Sequence, residues 1–482
     1  METLGYKIVY TKPKIVWVSM GILSNTLDSN AYSPNLVNDR NMILNSGMEI
    51  YELKDVINGD FITGSTPNYS ENIIENGAVL LKTVNIYSNY LDDSKLFYIS
   101  NSVHENRLKR SQLKKGDIIL TVIGATDEVV GRAVVYNGYP EKANITQSLC
   151  KFGINQKYDN YYISTFINCK YGHSMILQMA ASSTRRYINN ADLGTLLIPI
   201  PSPEIQKYIG DKVRKAEELR EEAKKLKKEA EGIIYKELNF GSLEDKLKII
   251  NNKYTWVGLH NLGIRIDSKY YNEKVLRIKD YFNKHYETIK LKECLQYCSR
   301  GKSFAESSED GIILIKTKNL NNSFINYERN FVYEKEVNNN LILKEKDLIF
   351  ASMGVGSLGK IDMYYPSEEK ATIDGTLMLL RFKSDSKLKP EYVMEFLRTH
   401  IGQKLIYQNV VGSTGIISIS VDDLINIDIP YIDDEKQEKI SNFTNKYLTD
   451  IYASKRLIQE AKQDVEDLIE GNFDMSKIKA HS

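Results

Sequence analysis

Short apolar runs separated by Asn, Gly, Ser and Asp occupy much of this chain, and two longer helical patterns interrupt them. The short runs are rich in Val, Ile, Leu and Phe, which predicts strands of mixed α/β domains with long loops. A helix-length pattern follows each group of runs. The runs lie at residues 78–86, 116–124, 132–136, 312–320, 347–354 and 376–382, and the helical patterns at 160–180 and 390–410.

Two charge-rich segments, 203–240 and 433–471, place apolar residues at steps of three and four, the pattern of a coiled coil. Because the two helices match in length, the simplest arrangement within one chain is an antiparallel pair. A homodimerising coiled coil would show the same pattern. The apolar seam predicted for this pair comprises Ile209, Val213, Leu219, Leu226 and Ile233 in the first helix, and Phe443, Ile451, Ile458, Val465 and Leu468 in the second.

The order of these patterns repeats along the chain. The two tryptophans, Trp17 and Trp256, are each followed by Val, and Gln206 and Gln437 stand at matching positions near the starts of the long helices. The spacing between matching segments drifts slowly along the chain, as small loop insertions would produce. The chain therefore reads as two copies of one domain, each followed by a helix. Further matching pairs are 80–86 with 314–320, 114–124 with 344–354, and 191–201 with 422–432.

Gly354, Gly356 and Gly359 have the spacing of a dinucleotide-binding fingerprint. The first copy has only Gly124 and Gly131 at the matching positions. A dinucleotide site also needs a helix that begins at the glycines, and a strand-like pattern follows them in both copies. We therefore predict a hairpin or a loop between strands here.

Composition narrows the class of protein. Hydrophobic residues make up 42% and charged residues 26% of the 482 residues, which is typical of a soluble protein of several domains. The 64 basic and 63 acidic residues nearly cancel, so a nucleic-acid role must rest on local patches. Four cysteines and the lack of a membrane-length apolar run predict a cytoplasmic protein. Cys294 and Cys298 could form half of a metal site, but no second pair completes it, so we expect no metal.

The ordered, duplicated set of motifs resembles the specificity subunit of type I restriction–modification systems. The motifs are KGDIILTVIGATDEVVGRA and EKDLIFASMGVGSLGKI, followed by SSTRRYINNADLGTLLIPIPSPEIQKYI and GSTGIISISVDDLINIDIPYIDDEKQEKI. The resemblance implies an α/β (mixed α+β) fold with two pseudo-repeated target-recognition domains joined by two long antiparallel coiled-coil helices. The implied boundaries are 1–202 and 241–432 for the domains, 203–240 and 433–471 for the spacer helices, and 472–482 for a tail.

The resemblance also implies a function. Each domain would bind half of a split target in double-stranded DNA, and the helices would dock two methyltransferase subunits. Those partners would use S-adenosylmethionine to methylate adenine, a restriction (translocase and nuclease) subunit could join them, and this chain would bind no cofactor. We find no Asn-Pro-Pro-Tyr, Walker A or His-Glu-x-x-His motif, in agreement with a non-catalytic chain. The alternative is a coiled-coil adaptor that binds protein and not DNA.

Basic, hydroxyl and amide residues in matching loops are the candidates for DNA binding, because they suit phosphate contacts and base readout. A solvated basic surface is the alternative interpretation. In the first copy the candidates are Lys82, Asn85, Arg107, Lys109, Arg110, Arg132, Thr184, Arg185, Arg186 and Tyr187. In the second copy they are Arg300, Lys302, Ser303, Lys316, Lys318, Asn319, Ser413 and Thr414.

Overall fold

Two compact units make up the chain. The first unit consists of residues 1–218 and 453–482, and the second of residues 219–452. Each long helix therefore contributes one end to each unit, whereas the sequence placed whole helices outside the domains. The computed structural model describes residues 29–180, 186–250, 256–258, 267–304, 308, 310–327, 330–365, 369–412 and 417–481.

Helices and short helical turns connect the strands in both units. The α-helices are α1 Pro34–Leu44, α2 Leu53–Val56, α3 Asn160–Asn168, α4 Lys170–Met179, α5 Asn190–Gly194, α6 Pro203–Glu237, α7 Phe240–Lys248, α8 Glu273–His285, α9 Leu291–Cys294, α10 Pro390–Arg398, α11 His400–Gln408, α12 Val421–Ile425, α13 Asp434–Glu470 and α14 Ser476–His481. Short 3₁₀ turns lie at Ser29–Tyr32, Thr83–Asn85, Lys109–Ser111, Thr317–Asn319, Glu334–Glu336 and Asn339–Leu341, and a π-helical turn lies at Val103–Arg107.

The strands are short, as the broken apolar runs predict. They are β1 Glu49–Glu52, β2 Ile57–Thr63, β3 Ala78–Leu81, β4 Ile86–Tyr87, β5 Tyr90–Leu91, β6 Tyr98–Ile99, β7 Ile118–Thr121, β8 Ile123–Gly124, β9 Ala133–Val135, β10 Ala143–Ile145, β11 Leu149–Ile154, β12 Arg186–Tyr187, β13 Leu197–Ile200, β14 Thr288–Lys290, β15 Leu295–Arg300, β16 Ile312–Ile315, β17 Phe331–Val332, β18 Leu348–Ala351, β19 Ile361–Met363, β20 Ala371–Ile373, β21 Leu377–Phe382 and β22 Asp428–Pro430.

The two units contain sheets of the same design. The four-stranded antiparallel sheet has the order β2-β11-β7-β9 in the first unit and β15-β21-β18-β19 in the second. The three-stranded sheet pairs β3 parallel to β10 and antiparallel to β6, and β16 parallel to β20 and antiparallel to β17. An antiparallel pair, β1 with β13 or β14 with β22, completes each unit. The predicted mixed α/β fold class is confirmed.

The four-stranded sheet is buried on both faces, which explains why its strands read as continuous apolar runs. In β18, Leu348 and Phe350 lie in the apolar cluster that contains α10, and Ile349 and Ala351 lie in the cluster of the three-stranded sheet. Successive side chains of a strand point to opposite faces. A strand covered on both sides therefore needs apolar residues at every position.

The glycine motif is part of a β-hairpin, as the sequence analysis predicts. Strand β18 pairs with β19 in antiparallel register. In the connection between them, Gly354, Gly356 and Gly359 adopt φ values of 99°, 79° and 90°, a region that favours glycine. These glycines shape the turn, and no helix begins there.

One buried glutamine fixes the start of each long helix. Gln206 accepts from the backbone N–H of Asp159 at 3.1 Å and donates to the carbonyl of Pro201 at 2.9 Å. Gln437 makes the corresponding bonds, accepting from Lys389 N–H at 2.9 Å and donating to Ile432 O at 3.0 Å. Each glutamine thus ties the first turn of α6 or α13 to the loop before α3 or α10.

A buried ion pair occupies matching positions of the four-stranded sheets. Asp117 pairs with Lys151 at 2.8 Å in the first unit, and Asp347 pairs with Arg381 at 2.6 Å in the second. Asp117 also accepts from Lys114 N–H at 2.9 Å. Each carboxylate thus links the turn before a central strand to the neighbouring strand. Breaking such a pair is costly, because it leaves an uncompensated buried charge.

The long helices enter the apolar cores of both units. In the first unit, Ile209 and Val213 of α6 share a cluster with Val465 of α13. In the second unit, Leu226 of α6 shares a cluster with Ile451 of α13. The start of α6 therefore packs with the end of α13 in one unit, and its end packs with the start of α13 in the other.

The remaining seam residues are less uniform. Ile458 is buried, and Leu468 and Phe443 are half-buried against the cores. Leu219 is only partly buried. Ile233 is partly buried against the core of the second unit, and its neighbour Ile234 is fully buried.

We expect Gln437→Ala to lower the free energy of unfolding by about 1–3 kcal/mol, because the N–H of Lys389 and the carbonyl of Ile432 lose their buried partner. Gln206→Ala should have a similar effect in the first unit. Urea unfolding, with hydrogen exchange to assign the change to a unit, measures both. Gln463→Ala is the control, because Gln463 makes an exposed bond to Asp467. Losses no larger than that of the control would contradict the assigned role.

Candidate nucleic-acid interface

An exposed turn at residues 103–111 of the first unit carries three of the predicted DNA-binding cations. Arg107, Lys109 and Arg110 are all exposed. Among the described residues, none of the three forms an ion pair. Their charges are therefore available to an anionic partner.

Buried polar groups fix this turn from below. Asn144 is fully buried and donates to the carbonyl of Leu108 at 2.9 Å and to Ser111 Oγ at 3.1 Å. The ring nitrogen Nδ1 of His104 lies 2.5 Å from Asn144 Oδ1, and Gln112 donates to the His104 carbonyl at 3.0 Å. The turn is thus a preorganised support for its exposed side chains. Because Asn144 is distant in sequence, the motif gave no sign of this support.

Lys82 lies among aromatic rings. Its Nζ donates to the hydroxyl of Tyr69 at 2.9 Å and lies 4.3 Å and 4.2 Å from the ring centres of Tyr69 and Phe97. Tyr69 is itself 41% exposed. The cation and the exposed ring form one surface feature, and the sequence analysis did not single out Tyr69.

Asn85 and Asn319 are buried and require a correction. The amide of Asn85 accepts from Lys82 N–H at 3.0 Å and donates to the carbonyls of Asp92 and Lys95. Asn319 likewise accepts from Lys316 N–H at 2.8 Å and donates within its own loop. Both amides stabilise 3₁₀ turns in the interior, so we remove them from the set of base-reading candidates.

The loop at residues 124–131 positions two further candidates. Strand β12 pairs with β8, and Arg186 Nε on β12 donates to Asp127 Oδ1 in this loop at 2.6 Å. Tyr187 follows with 51% of its surface exposed. Asp127 thus holds Arg186 in place beside the loop.

Arg132 follows the same loop and is partly buried. Its guanidinium lies 5.0 Å from the ring centre of Tyr87, and its Nε donates to the carbonyl of Glu128 at 2.8 Å. Tyr87 stacks on Tyr90 at 4.7 Å. Arg132 is therefore held against a tyrosine stack, which fixes its direction.

The candidates of the second unit are more constrained. Arg300 donates to the carbonyl of Ile419 at 2.6 Å, and Lys302 donates to the carbonyl of Glu336 at 2.9 Å. Ser303 and Lys318 are exposed, and Lys316 is partly buried. Thr184, Arg185, Ser413 and Thr414 lie outside the described residues, as does Trp17.

A cavity of about 160 Å³ lies in the second unit, among α8, α11 and α12. Lys279, Asp422 and Asp428 are among its lining residues, which include neither histidine nor cysteine. Burial lowers the pKa of Lys279, while nearby Asp428 acts in the opposite direction. Asp428 also pairs with Lys290 at 3.2 Å. We assign no chemistry to this cavity.

The described residues contain no group of three or more His, Cys, Asp and Glu side chains placed to hold a metal ion. All four cysteines are free thiols. None of the described helices has the length and apolar character needed to cross a membrane. The predicted cytoplasmic location stays a prediction.

A comparison with family models matches residues 45–231 to the type I restriction modification DNA specificity domain. These residues are therefore similar in sequence to a DNA specificity domain. The resemblance drawn from the motifs is confirmed for this span, which contains the turn at residues 103–111, the loop at 124–131 and most of α6. The three exposed cations, Lys82, Arg132 and Arg186 all lie within the matched residues 45–231.

Two solved structures of specificity subunits are similar to the chain. The type I restriction–modification S subunit from M. genitalium has 14% identity and a TM-score of 0.41, over 89% of this chain and 98% of that one. The HsdS subunit from Thermoanaerobacter tengcongensis has 15% identity and a TM-score of 0.27, over 89% and 97%. No curated protein matches the sequence. None of these similarities by itself defines the fold of this chain.

We expect Asp127→Asn to raise the affinity of the full chain for duplex DNA by roughly two- to five-fold, since an exposed ion pair is worth about 0.2–1 kcal/mol. The change removes one negative charge from the matched residues 45–231 and the ion pair between Asp127 and Arg186. Fluorescence anisotropy at low salt measures it. Asp245→Asn, at an exposed pair with Lys248, is the control. Equal affinities in wild type and variant would show that Arg186 does not face DNA.

The thiols should react slowly in the folded protein. Burial raises the pKa of Cys150, Cys169 and Cys298 to about 12. At pH 8 only about one in ten thousand of each would be thiolate, the reactive form. A disulfide reagent should label these thiols slowly in the native chain and fully after denaturation. Rapid labelling of Cys298 in the native chain would contradict its burial.

Proposed function

We propose that this chain is the DNA sequence-specificity subunit of a type I restriction–modification complex. The observation that carries the proposal is the specificity domain at residues 45–231, followed by a second unit with the same order of sheets. Each unit would bind one half of a split target in double-stranded DNA. The exposed cations of the first unit and the exposed Lys318 and Ser303 of the second support this role.

The proposal includes duplication of one domain. Gln206 and Gln437 make corresponding hydrogen bonds, and so do Tyr162 and Tyr392, which donate to the carbonyls of matching prolines at 2.7 Å and 2.6 Å. Such agreement in buried polar detail is improbable for unrelated domains. The two units differ in their exposed loops, so their half-sites should differ in sequence.

The long helices α6 and α13 would form an antiparallel coiled coil that docks two methyltransferase subunits. Their contacts within each unit support this pairing, because Lys212 of α6 pairs with Asp464 of α13 in the first unit, and Glu237 pairs with Lys436 at 3.3 Å in the second. These partners would bind S-adenosylmethionine and methylate an adenine in each half-site, and a restriction subunit could join them. The chain itself would be non-catalytic and bind no cofactor.

Single-molecule methylation profiling of host DNA tests the proposal. Deleting the gene should abolish N6-methyladenine at one split motif, two short half-sites around a fixed gap, because the methyltransferase loses its reader. Complementation with the wild-type gene should restore it. The purified chain with S-adenosylmethionine and DNA should transfer no methyl group.

A profile unchanged by deletion, together with no salt-dependent DNA binding by the purified complex, would support the coiled-coil adaptor instead. Phosphate contacts release counterions, so a DNA reader must lose affinity steeply as salt rises. Methyl transfer by the chain alone would overturn the non-catalytic assignment. The two assays thus separate a reader, an adaptor and an enzyme.

A further inference from the structure

The exposed turn at residues 103–111 has a structural counterpart at 333–341 of the second unit. Each follows the outer strand of the three-stranded sheet, β6 or β17, and each ends in a 3₁₀ turn, Lys109–Ser111 or Asn339–Leu341. Two residues later, Leu113 N–H donates to Ala143 O at 2.9 Å in one unit, and Leu343 N–H donates to Ala371 O at 2.9 Å in the other.

Both turns are supported by a buried side chain from the opposite edge strand of the three-stranded sheet, β10 or β20. Asn144 of β10 donates to the carbonyl of Leu108 in the first unit. Thr372 of β20 donates to the carbonyl of Leu341 at 3.0 Å in the second, and both Asn144 and Thr372 are fully buried. Asn144 also donates to Ser111 Oγ at 3.1 Å, and Ser111 is the counterpart of Leu341, so side chains at matching strand positions hold the last residue of each turn. Their exposed residues therefore occupy equivalent positions.

Their charges are opposite. The first turn carries three cations, Arg107, Lys109 and Arg110, against one carboxylate, Glu105, for a net charge of +2. Glu105 also accepts a hydrogen bond from Asn101 at 2.7 Å.

The second turn carries Lys335 against Glu334 and Glu336, for a net charge of −1. The 3₁₀ turns show the contrast directly, since Asn339 and Asn340 stand where the first unit has Lys109 and Arg110. Glu334 pairs with Lys370 at 2.6 Å, so this turn satisfies part of its charge within the protein. A DNA backbone would be attracted to the first turn and not to the second.

We propose that the turn at residues 103–111 is a phosphate anchor on double-stranded DNA and that its counterpart at 333–341 is not, so the two half-sites are held by unequal electrostatic contacts. This inference rests on the proposed function. Phosphate contacts position a protein without reading sequence. The first unit thus supplies sequence-independent affinity, and the second unit depends more on direct base contacts.

The salt dependence of binding tests the anchor. Each phosphate contact contributes about 0.9 to the slope of log K against log salt concentration on B-DNA. We expect the triple variant Arg107→Gln, Lys109→Gln and Arg110→Gln to flatten this slope by roughly 2–3. The probes are the intact complex with its methyltransferase subunits and duplexes carrying the split motif or a scrambled one. Affinity should fall equally on both duplexes, and the methylated motif should stay the same.

A matched control removes three exposed cations from the second unit, Lys248, Arg277 and Lys284, each changed to Gln. A slope that flattens equally in the control would overturn the anchor, because only overall charge would then matter. So would a triple variant with the wild-type slope. In both cases the wild-type complex still binds DNA, whereas a wild-type complex without salt-dependent binding would refute the proposed function itself.

The reciprocal variant transfers the anchor. Asn339→Lys with Asn340→Arg gives the second turn the cations of the first, at positions that are exposed. We expect the slope to steepen by roughly 1–2. A steeper slope supports the equivalence of the two turns on DNA. An unchanged slope would show that the second turn faces away from DNA and would overturn the comparison on which the proposal rests.

Discussion

Burial of the long-helix ends in both cores is the constraint on which the rest of the structure depends. In the first unit, Ala461, Val465 and Ile469 of α13 pack in the same core as Ile209 and Val213 of α6. Truncating a buried aliphatic side chain of this kind costs about 2–5 kcal/mol. The first unit is therefore incomplete until the last part of the chain has been made. Its core joins residues that lie more than two hundred positions apart in the sequence, and such contacts form more slowly than local ones.

The same dependence holds in the second unit, where Tyr447 and Leu448 of α13 and Ala230 of α6 enter the core. Neither unit can be separated from both helices without losing part of its apolar core. Under the proposed function, a surface that docks a partner on α6 or α13 would be built on helices that also stabilise both units. Partner binding would then stabilise the units through the same two helices.

The units differ in the chemistry of one buried position at the end of α3 or α10. In the first unit Asn168 donates to Asn89 at 2.8 Å and to the carbonyl of Ala133 at 2.7 Å. In the second, Arg398 contacts Asp362 at 2.5 Å and Glu395 at 2.8 Å. Burial raises the pKa of Asp362, and the adjacent Arg398 opposes that rise. A neutral network and an ionic one thus fill equivalent places, and the ionic one is costly to break.

The sequence was sufficient for features that depend on local pattern. Apolar runs gave the strands, three- and four-residue steps gave the long helices, and the missing helix after Gly359 indicated a hairpin. Predictions of exposure were less successful. Asn85 and Asn319 are of a residue type that suits base reading. Their buried amides, however, donate to backbone carbonyls several residues away. Polarity does not reveal whether a side chain satisfies its hydrogen bonds inside the protein or at the surface.

The two units have the same backbone conformation at matching positions, even where the residue type disfavours that conformation. Gly116 has a φ of 93°, and Lys346 adopts the same region with a φ of 67°. For a residue other than glycine this conformation costs roughly 1–2 kcal/mol. Lys346 compensates with an ion pair to Glu391 at 3.0 Å.

The next residue explains why Lys346 keeps this conformation. The buried carboxylate of Asp347 accepts from Lys344 N–H at 2.7 Å and pairs with Arg381. A negative φ at Lys346 would move the Asp347 carboxylate away from its partners. The loss of those buried contacts would cost more than the positive φ does. Buried ionic contacts therefore hold the framework fixed in both units, while exposed turns face no such constraint. The exposed turns of the two units can therefore diverge in charge and sequence without loss of the shared fold.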